Sequence, residues 1–379
     1  MALEPIPFNH ASYEGKEQDY MSDAFARGDI GGDGAYTKRA ERLLESLTGS
    51  PRVLLTTSCT HALEMSALLL NIQPGDEVIL PSYTFVSTAN AFVLRGAKPV
   101  FADIRPDTLN IDETKIEALI TARTRAICVV HYAGVGCEMD TIMQIAEAHG
   151  LAVVEDNAHG ILGSYRGRPL GSIGSLATLS FHETKNITCG EGGALIINDE
   201  KLIARAEIIR EKGTNRSQFV RGQVDKYTWV DVGSSYVLSD LLAGLLYGQL
   251  EARERIRAKR QAIWQRYDAA LCAWAGQQGV GTPHVPAECE QSYHMFYLIL
   301  PTSAARDRLI GRLRELGISA YFHYIPLHLS VMGANYGYRE GDLPVTESLS
   351  ERLVRLPFFN RLQPAQQQRV IEAIISEDM

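Results

Sequence analysis

Ser180-Phe181-His182-Glu183-Thr184-Lys185-Asn186, followed by Gly190-Glu191-Gly192-Gly193, is the stretch from which the rest of the chain can be read. One lysine follows an apolar run, 176–181, that has the composition of a buried strand, and it precedes a glycine-rich turn. A lysine in that position is either buried or beside a ligand. Burial disfavours the ammonium form, lowers the pKa and frees an amine nucleophile. Upstream, Leu151-Ala-Val-Val-Glu155-Asp156 ends a second apolar run on a carboxylate.

Outward from these two runs, residues 50–200 alternate short apolar segments with helix-period ones. Segments 53–57, 77–80, 99–102, 126–130 and 151–154 read as strands, each of the first four followed by a helical pattern. That alternation predicts an α/β fold with a mostly parallel sheet covered by helices on both faces. Segments 176–181 and 194–197 follow one another more directly, which makes the sheet mixed. In such sheets ligands bind outside the carboxyl ends of the strands. Ser58, Asp156 and Lys185 all fall there.

The stretch 210–231 is polar, dense in charge and without periodicity, and reads as a long functional loop. Segment 238–267 reads as one long helix able to join two domains. A strand at 293–300, a helix at 306–316, a strand at 320–324 and a helix at 365–375 predict a smaller α+β C-terminal domain. The expected division is a large domain over 1–250 and a small one over 251–379.

A lysine and an aspartate on neighbouring strand ends are what a pyridoxal phosphate site needs. The amine forms a Schiff base with the aldehyde, and the carboxylate keeps the pyridine nitrogen protonated so that the ring accepts electrons. Ser58-Cys59-Thr60 sits at a strand-to-helix turn, where free N–H groups and the helix dipole favour an anion. Alone it is an ordinary N-cap; the company of Lys185 and Asp156 makes it a candidate phosphate site. His159, three residues beyond Asp156, reads in isolation as a core histidine.

Composition excludes other classes. The 379 residues carry a formal net charge of −8, with 45% hydrophobic and 22% charged residues, as in an ordinary globular protein. That balance argues against nucleic acid as a partner. No run of about 20 apolar residues is present to span a bilayer. Met1 to His10 lack a basic segment followed by an apolar core, and the six cysteines are scattered without a Cys-x-x-Cys pair. Cytoplasmic localisation with reduced thiols is the expectation. His182-Glu183 begins like a zinc-binding helix motif, but Asn186 stands where the second histidine belongs, so no metal is expected.

The motifs Gly32-Asp-Gly34, Ser58-Cys-Thr-His-Ala-Leu63, Pro81-Ser-Tyr-Thr-Phe-Val-Ser-Thr88, His131-Tyr-Ala-Gly134, Glu155-Asp-Asn-Ala-His159, 180–185 and His323-Tyr-Ile-Pro-Leu-His328 together resemble the nucleotide-sugar aminotransferases of the DegT/DnrJ/EryC1/StrS family, over essentially the whole chain. The stretches 210–217, 222–229 and 322–328 are most similar to the transaminases that make dTDP-4-amino-4,6-dideoxygalactose. The resemblance implies the type I (aspartate aminotransferase) fold of pyridoxal phosphate-dependent transferases. It implies that Lys185 binds the cofactor and shuttles a proton, while Asp156 pairs with its ring nitrogen. His159 would lie near the phenolate oxygen, and Phe85 would stack on one face with Ala158 under the other. Ser58, Cys59, Thr60 and Ser180 would hold the phosphate. Many relatives carry glycine where this chain has Cys59, and an asparagine where it has Ser235, in Gly233-Ser-Ser235-Tyr236. In those relatives the asparagine reaches the partner subunit's phosphate. A homodimer with composite sites follows from the resemblance. Its substrates would be dTDP-4-dehydro-6-deoxyglucose and glutamate, with Lys212 or Arg216 on the sugar nucleotide and His323 and Tyr324 near the hexose. A dehydratase of the same fold, or a non-catalytic sugar-nucleotide sensor, is the competing reading; Lys185 and Asp156 both stand against these.

Overall fold

The computed structural model describes residues 4–28 and 30–377. Its central sheet has seven strands. Five come first: β1 (Arg52–Thr56), β2 (Glu77–Pro81), β3 (Lys98–Ala102), β4 (Thr124–Val130) and β5 (Ala152–Asp156). A small hairpin, β6 (Ser164–Tyr165) and β7 (Arg168–Pro169), precedes β8 (Leu176–Ser180) and β9 (Gly193–Ile197). The spatial order is β1-β9-β8-β5-β4-β2-β3.

Strands β3, β2, β4, β5 and β8 run parallel in succession, and β9 lies antiparallel to both β8 and β1. Reversing direction twice leaves β1 pointing the same way as β5 and β8. The carboxyl ends of all three therefore open on one edge, which carries Ser58, Asp156 and Lys185. Alternate residues of β1 feed opposite cores: Leu54 packs with Leu63 and Val154, while Val53 and Leu55 pack with Leu179 and Ile196. Both faces are covered, which is why these strands read as continuous apolar runs.

A second core is built by β11 (Tyr297–Ile299) paired antiparallel with β12 (Leu353–Arg355), under helices Arg253–Gln278, Ser303–Glu315 and Pro364–Ile375. Between these units β10 (Cys289–Glu290) pairs with β6. Ile6, with no exposure, packs in this second core and bridges Ile318. Ile6 stands between Pro5 and Pro7 in an N-terminal stretch with no periodicity to announce that partner.

Three segments differ from expectation. Segment 238–267 is two helices, Asp240–Glu251 and Arg253–Gln278, meeting at Ala252, whose ψ of 2° leaves the helical region. No glycine or proline at residue 252 marks the break. Residues 320–324 form no strand; Tyr321 alone bridges Arg355 of β12. Arg210 is not part of a loop: it ends helix Ile203–Arg210, fully buried between Glu41 at 2.6 Å and Asp33 at 3.0 Å. Beyond it lie a short helix, Arg216–Val220, and a bridge between Thr214 and Trp229. Among the described residues no helix is long and apolar enough to cross a membrane, and no group of three or more potential ligands is placed for a metal.

Candidate active site

At the carboxyl edge of the sheet lies a cavity of about 500 Å³. Its wall includes Ser58, Cys59, Thr60, Phe85, Asp156, Ala158, His159, Ser180, Lys185, His323 and Tyr324.

One end is the first turn of helix Cys59–Leu69. Ser58 is its N-cap, the side-chain oxygen accepting from His61 N at 3.1 Å, and the first turn holds no acidic residue. Ser58, Cys59 and Thr60, ahead of His61, line the cavity, and Thr60 Oγ1 is held 2.8 Å from Ser87 Oγ. Directly beneath runs Gly193, opposite Thr56 on one side and Ser180 on the other. A Cβ on Gly193 would lie 2.3 Å from Cys59 N. Only glycine lets β9 pass this close under the turn, which gives the glycine-rich stretch after Lys185 its physical reason.

At the other end, Lys185 sits on the turn after β8, its backbone N–H bonded to His182 O at 2.9 Å. Loss of solvation lowers its pKa; Cys59 and Asp156 partly oppose that. Asp156 ends β5 at 5% exposure. Burial raises its pKa, against hydrogen bonds from Thr88 Oγ1 at 2.7 Å and Ala158 N at 3.2 Å. Neither donor is charged, so the carboxylate is short of a cationic hydrogen-bond partner.

His159 stacks on His294 with centroids 4.2 Å apart and planes 14° apart. Burial drives both histidines well below the ordinary imidazole range, so each is neutral. His294 Nδ1 lies 2.8 Å from Asn186 Oδ1, whereas His159 Nδ1, out of water, has no partner. Phe85 is 56% exposed although it is a large aromatic, and it stands at the cavity wall.

Three of the residues named from the sequence are elsewhere. Lys212 and Arg216 line a separate cavity of about 400 Å³ with Gly32, Glu211 and Tyr227. Ser235 is exposed and bridges Glu211, outside the main cavity of its own chain. A Cβ on Gly213 would meet Asp231 O at 1.9 Å, so this glycine marks a fixed close approach within the loop.

Sequence reasoning missed Thr88, Ser87, His294 and Arg355, all but Thr88 lining the cavity. Thr88, in the first turn of helix Val86–Val93, bonds Thr84, which precedes that helix, as well as Asp156. Nothing local marks His294 or Arg355, which arrive from the second core.

These donors fit pyridoxal phosphate. An unacidic helix N-terminus with hydroxyls suits a dianion, an under-partnered carboxylate suits a pyridinium, an unpartnered neutral imidazole suits a ring oxygen, and a desolvated lysine suits an aldehyde. Fold and site together define a type I pyridoxal phosphate-dependent aminotransferase. The family profile of the DegT/DnrJ/EryC1/StrS aminotransferases matches residues 12–375, and the chain belongs to that family. Spore coat polysaccharide biosynthesis protein SpsC of Bacillus subtilis is 34% identical over 351 residues, 90% of this chain and 89% of its own. The pleiotropic regulatory protein of Geobacillus stearothermophilus is 35% identical over 344 residues, covering 90% and 89%. Among solved structures, Spr1654 of Streptococcus pneumoniae superposes with a TM-score of 0.91 at 28% identity, spanning 98% of each chain in its PMP form. It is also solved in its PLP form. The protein is accordingly PLP-dependent.

Proposed function

We propose that this protein transfers an amino group from glutamate to the 4-keto carbon of dTDP-4-dehydro-6-deoxyglucose, giving a dTDP-4-amino-4,6-dideoxyhexose. The observation that carries the reading is the desolvated Lys185 in one cavity with the under-partnered Asp156 and an open helix N-terminus. What pyridoxal phosphate supplies when bound is a carbonyl that exchanges amines and a ring that takes up an electron pair.

Each side chain has a task in that setting. Lys185, its pKa lowered by burial, is the amine that would move the proton between the donor's α-carbon and the cofactor's C4′. Asp156 holds a proton on the ring nitrogen. The amides at Cys59 and Thr60, with Ser58 and Ser180, anchor the phosphate. His159, neutral with a free Nδ1, meets the ring oxygen. Phe85 and Ala158 flank the ring, while His323 and Tyr324 approach the hexose from the second core.

The active unit in this reading is a cytoplasmic homodimer. Ser235, Lys212 and Arg216 lie outside their own chain's cavity, on a surface that also exposes Trp229 and Tyr227. Such residues serve the partner's site more readily than their own. A sugar-nucleotide sensor is the second reading, favoured by the name of the Geobacillus relative. Lys185 and Asp156 stand against it, because a sensor has no use for a proton-shuttling amine.

The test is to incubate the protein with pyridoxal phosphate, glutamate and dTDP-4-dehydro-6-deoxyglucose, and to assign the product's C4 configuration by NMR. A 4-amino sugar is expected, and Lys185→Ala should abolish it, a fall of about 10⁴-fold or more when both nucleophile and acid–base are lost. Ligand binding without turnover by the unsubstituted protein would instead establish the sensor.

A further inference from the structure

Ser292, Tyr293 and His294 form irregular backbone just ahead of Phe296 of the second core, and they meet three loops at the carboxyl edge of the sheet. Ser292 N donates to Gly134 O at 3.0 Å, in the loop after β4. Its Oγ donates to His159 O at 2.5 Å, after β5. Its carbonyl accepts from Asn186 Nδ2 at 2.8 Å, on the turn after β8 and next to Lys185. The fit leaves no slack: Gly134 has a φ of 83°, and a Cβ there would lie 1.9 Å from Ser292 Oγ. From behind, Arg260 holds the same segment through Tyr293 O at 2.9 Å and His294 O at 2.6 Å.

The Asn186 amide also decides the state of His294. Its NH₂ faces the Ser292 carbonyl, so its oxygen is what faces His294 Nδ1, 2.8 Å away, and that nitrogen carries a proton. The ring so fixed lies flat on His159, with centroids 4.2 Å apart and planes 14° apart. Other buried histidines are gripped by their nitrogens. His131 is held by Glu155 and Cys137 N, and His328 by Ser82 Oγ at 2.7 Å and Glu347 Oε1 at 3.0 Å. His159 is held otherwise. Its Nδ1 is out of water with no partner, and packing keeps the ring in place, face-on against His294 and edge-on against Tyr132. A side chain whose nitrogen is left open for a ligand must be oriented by its neighbours instead.

From this geometry we infer that His294 is a positioning residue: with Asn186 and Ser292 it clamps the His159 imidazole at a set place relative to Lys185, and it acts on the reaction only through His159. The inference rests on the reading above that His159 meets the ring oxygen of pyridoxal phosphate. Lys185 and His159 stand on the ends of different strands. The Asn186 side chain is what ties the lysine's turn to the histidine stack.

The experiment uses the PLP-loaded full chain with His294→Leu, His294→Phe, His159→Phe, and each His294 variant combined with His159→Phe. The readouts are the absorbance band of the bound cofactor and the rate of the glutamate half-reaction. His294→Leu keeps much of the volume but removes ring and donor. It is expected to slow the half-reaction about tenfold to a hundredfold, the scale of a misplaced group, and to move the band in the same direction as His159→Phe. His294→Phe keeps the stack and loses only the donor, so it should lie between His294→Leu and wild type; it also carries the test if the leucine variant does not fold. In the His159→Phe background neither His294 substitution should change rate or band further, because a residue that works through another loses its effect with it. Nitrogen-15 NMR of the histidine rings reads the clamp itself: His294 should be protonated at Nδ1, and Asn186→Ala should abolish that tautomer preference. Effects that multiply in the double variants, or a His294 protonated only at Nε2, would overturn the inference while leaving His159 at the ring oxygen. A His159→Phe chain with unaltered band and rate would overturn that reading and the inference with it.

Discussion

Glu155 and Asp156 are consecutive, both buried, and separated only by the alternation of a strand. Below the sheet, Glu155 is saturated. It pairs with His131 Nε2 at 2.8 Å and accepts from Gly171 N at 2.8 Å, Ile173 N at 2.7 Å and Gly174 N at 2.6 Å. Burial alone would raise its pKa, but the His131 contact and the backbone donors outweigh it and hold it below the ordinary carboxylate value. Above the sheet, Asp156 has two neutral donors and a raised pKa. The lesson is that a filled donor set marks a structural charge and a deficit marks one awaiting a ligand. Arg210 belongs with Glu155 because two carboxylates, Glu41 and Asp33, neutralise it even though its Nε has no partner; Arg355 has no carboxylate partner among the described residues and belongs with Asp156.

The largest effect should come from the saturated side. Glu155→Gln turns an amide NH₂ toward backbone donors and leaves His131 without its acceptor. Breaking a buried pair in this way is expected to cost about 3–5 kcal/mol, read as a lower urea midpoint of the apo-protein. Because the folded pKa is depressed, this stability is present above the unfolded value near 4.5 and is lost as pH falls through the folded one. Wild type and variant should therefore converge once the pH has fallen below the folded value, which lies under 4.5. A variant as stable as wild type at neutral pH would break the comparison.

The unsaturated side should respond in rate and not in stability. Asp156→Asn removes a charge that the apo-protein holds at a cost, so the apo midpoint should not fall. The proton-transfer half-reaction should slow about 10²- to 10³-fold, as with other deleted electrostatic groups. Stopped-flow absorbance with glutamate measures it. A large loss of stability with little loss of rate would mean that Asp156 is structural like its neighbour.

Most of the sheet was legible because buried parallel strands are short apolar runs whose polar endings stand out: Asp156 after Val154, Ser58 after Leu55, Lys185 after Phe181. What stayed hidden depends on contacts remote in sequence. Thr88 reaches Asp156 across 68 positions, and Arg355 is carried to the cavity by strand pairing within the other core. The break at Ala252 has no turn residue of its own. Arg210 looked like a loop cation because its partners, Asp33 and Glu41, lie some 170 residues upstream.

The smallest effect concerns the loop cations, where the comparison is at its sharpest. Arg221 is taken up by Glu207 at 2.7 Å, and Arg210 is buried. Arg216 is only loosely held, 3.4 Å from Glu211 and 3.8 Å from Asp33, with 43% of its side chain exposed. Lys212 has no ion pair among the described residues and shares its cavity. By the rule of open donors these two are the loop's ligand-seeking charges. Being partly solvated, each should be worth about 1 kcal/mol to a pyrophosphate, or roughly fivefold in KM for the sugar nucleotide. The glutamate half-reaction should not respond. If the loop serves the partner subunit, mixed dimers of Lys185→Ala and Arg216→Ala chains will contain one site with both residues intact, and about half of the mixed dimer's sites will show the wild-type KM. If the loop serves its own chain, every working site in that mixture will keep the raised KM. An unchanged KM in both Lys212→Ala and Arg216→Ala would reduce the loop to a solvated face and confine the rule of open donors to the cavity.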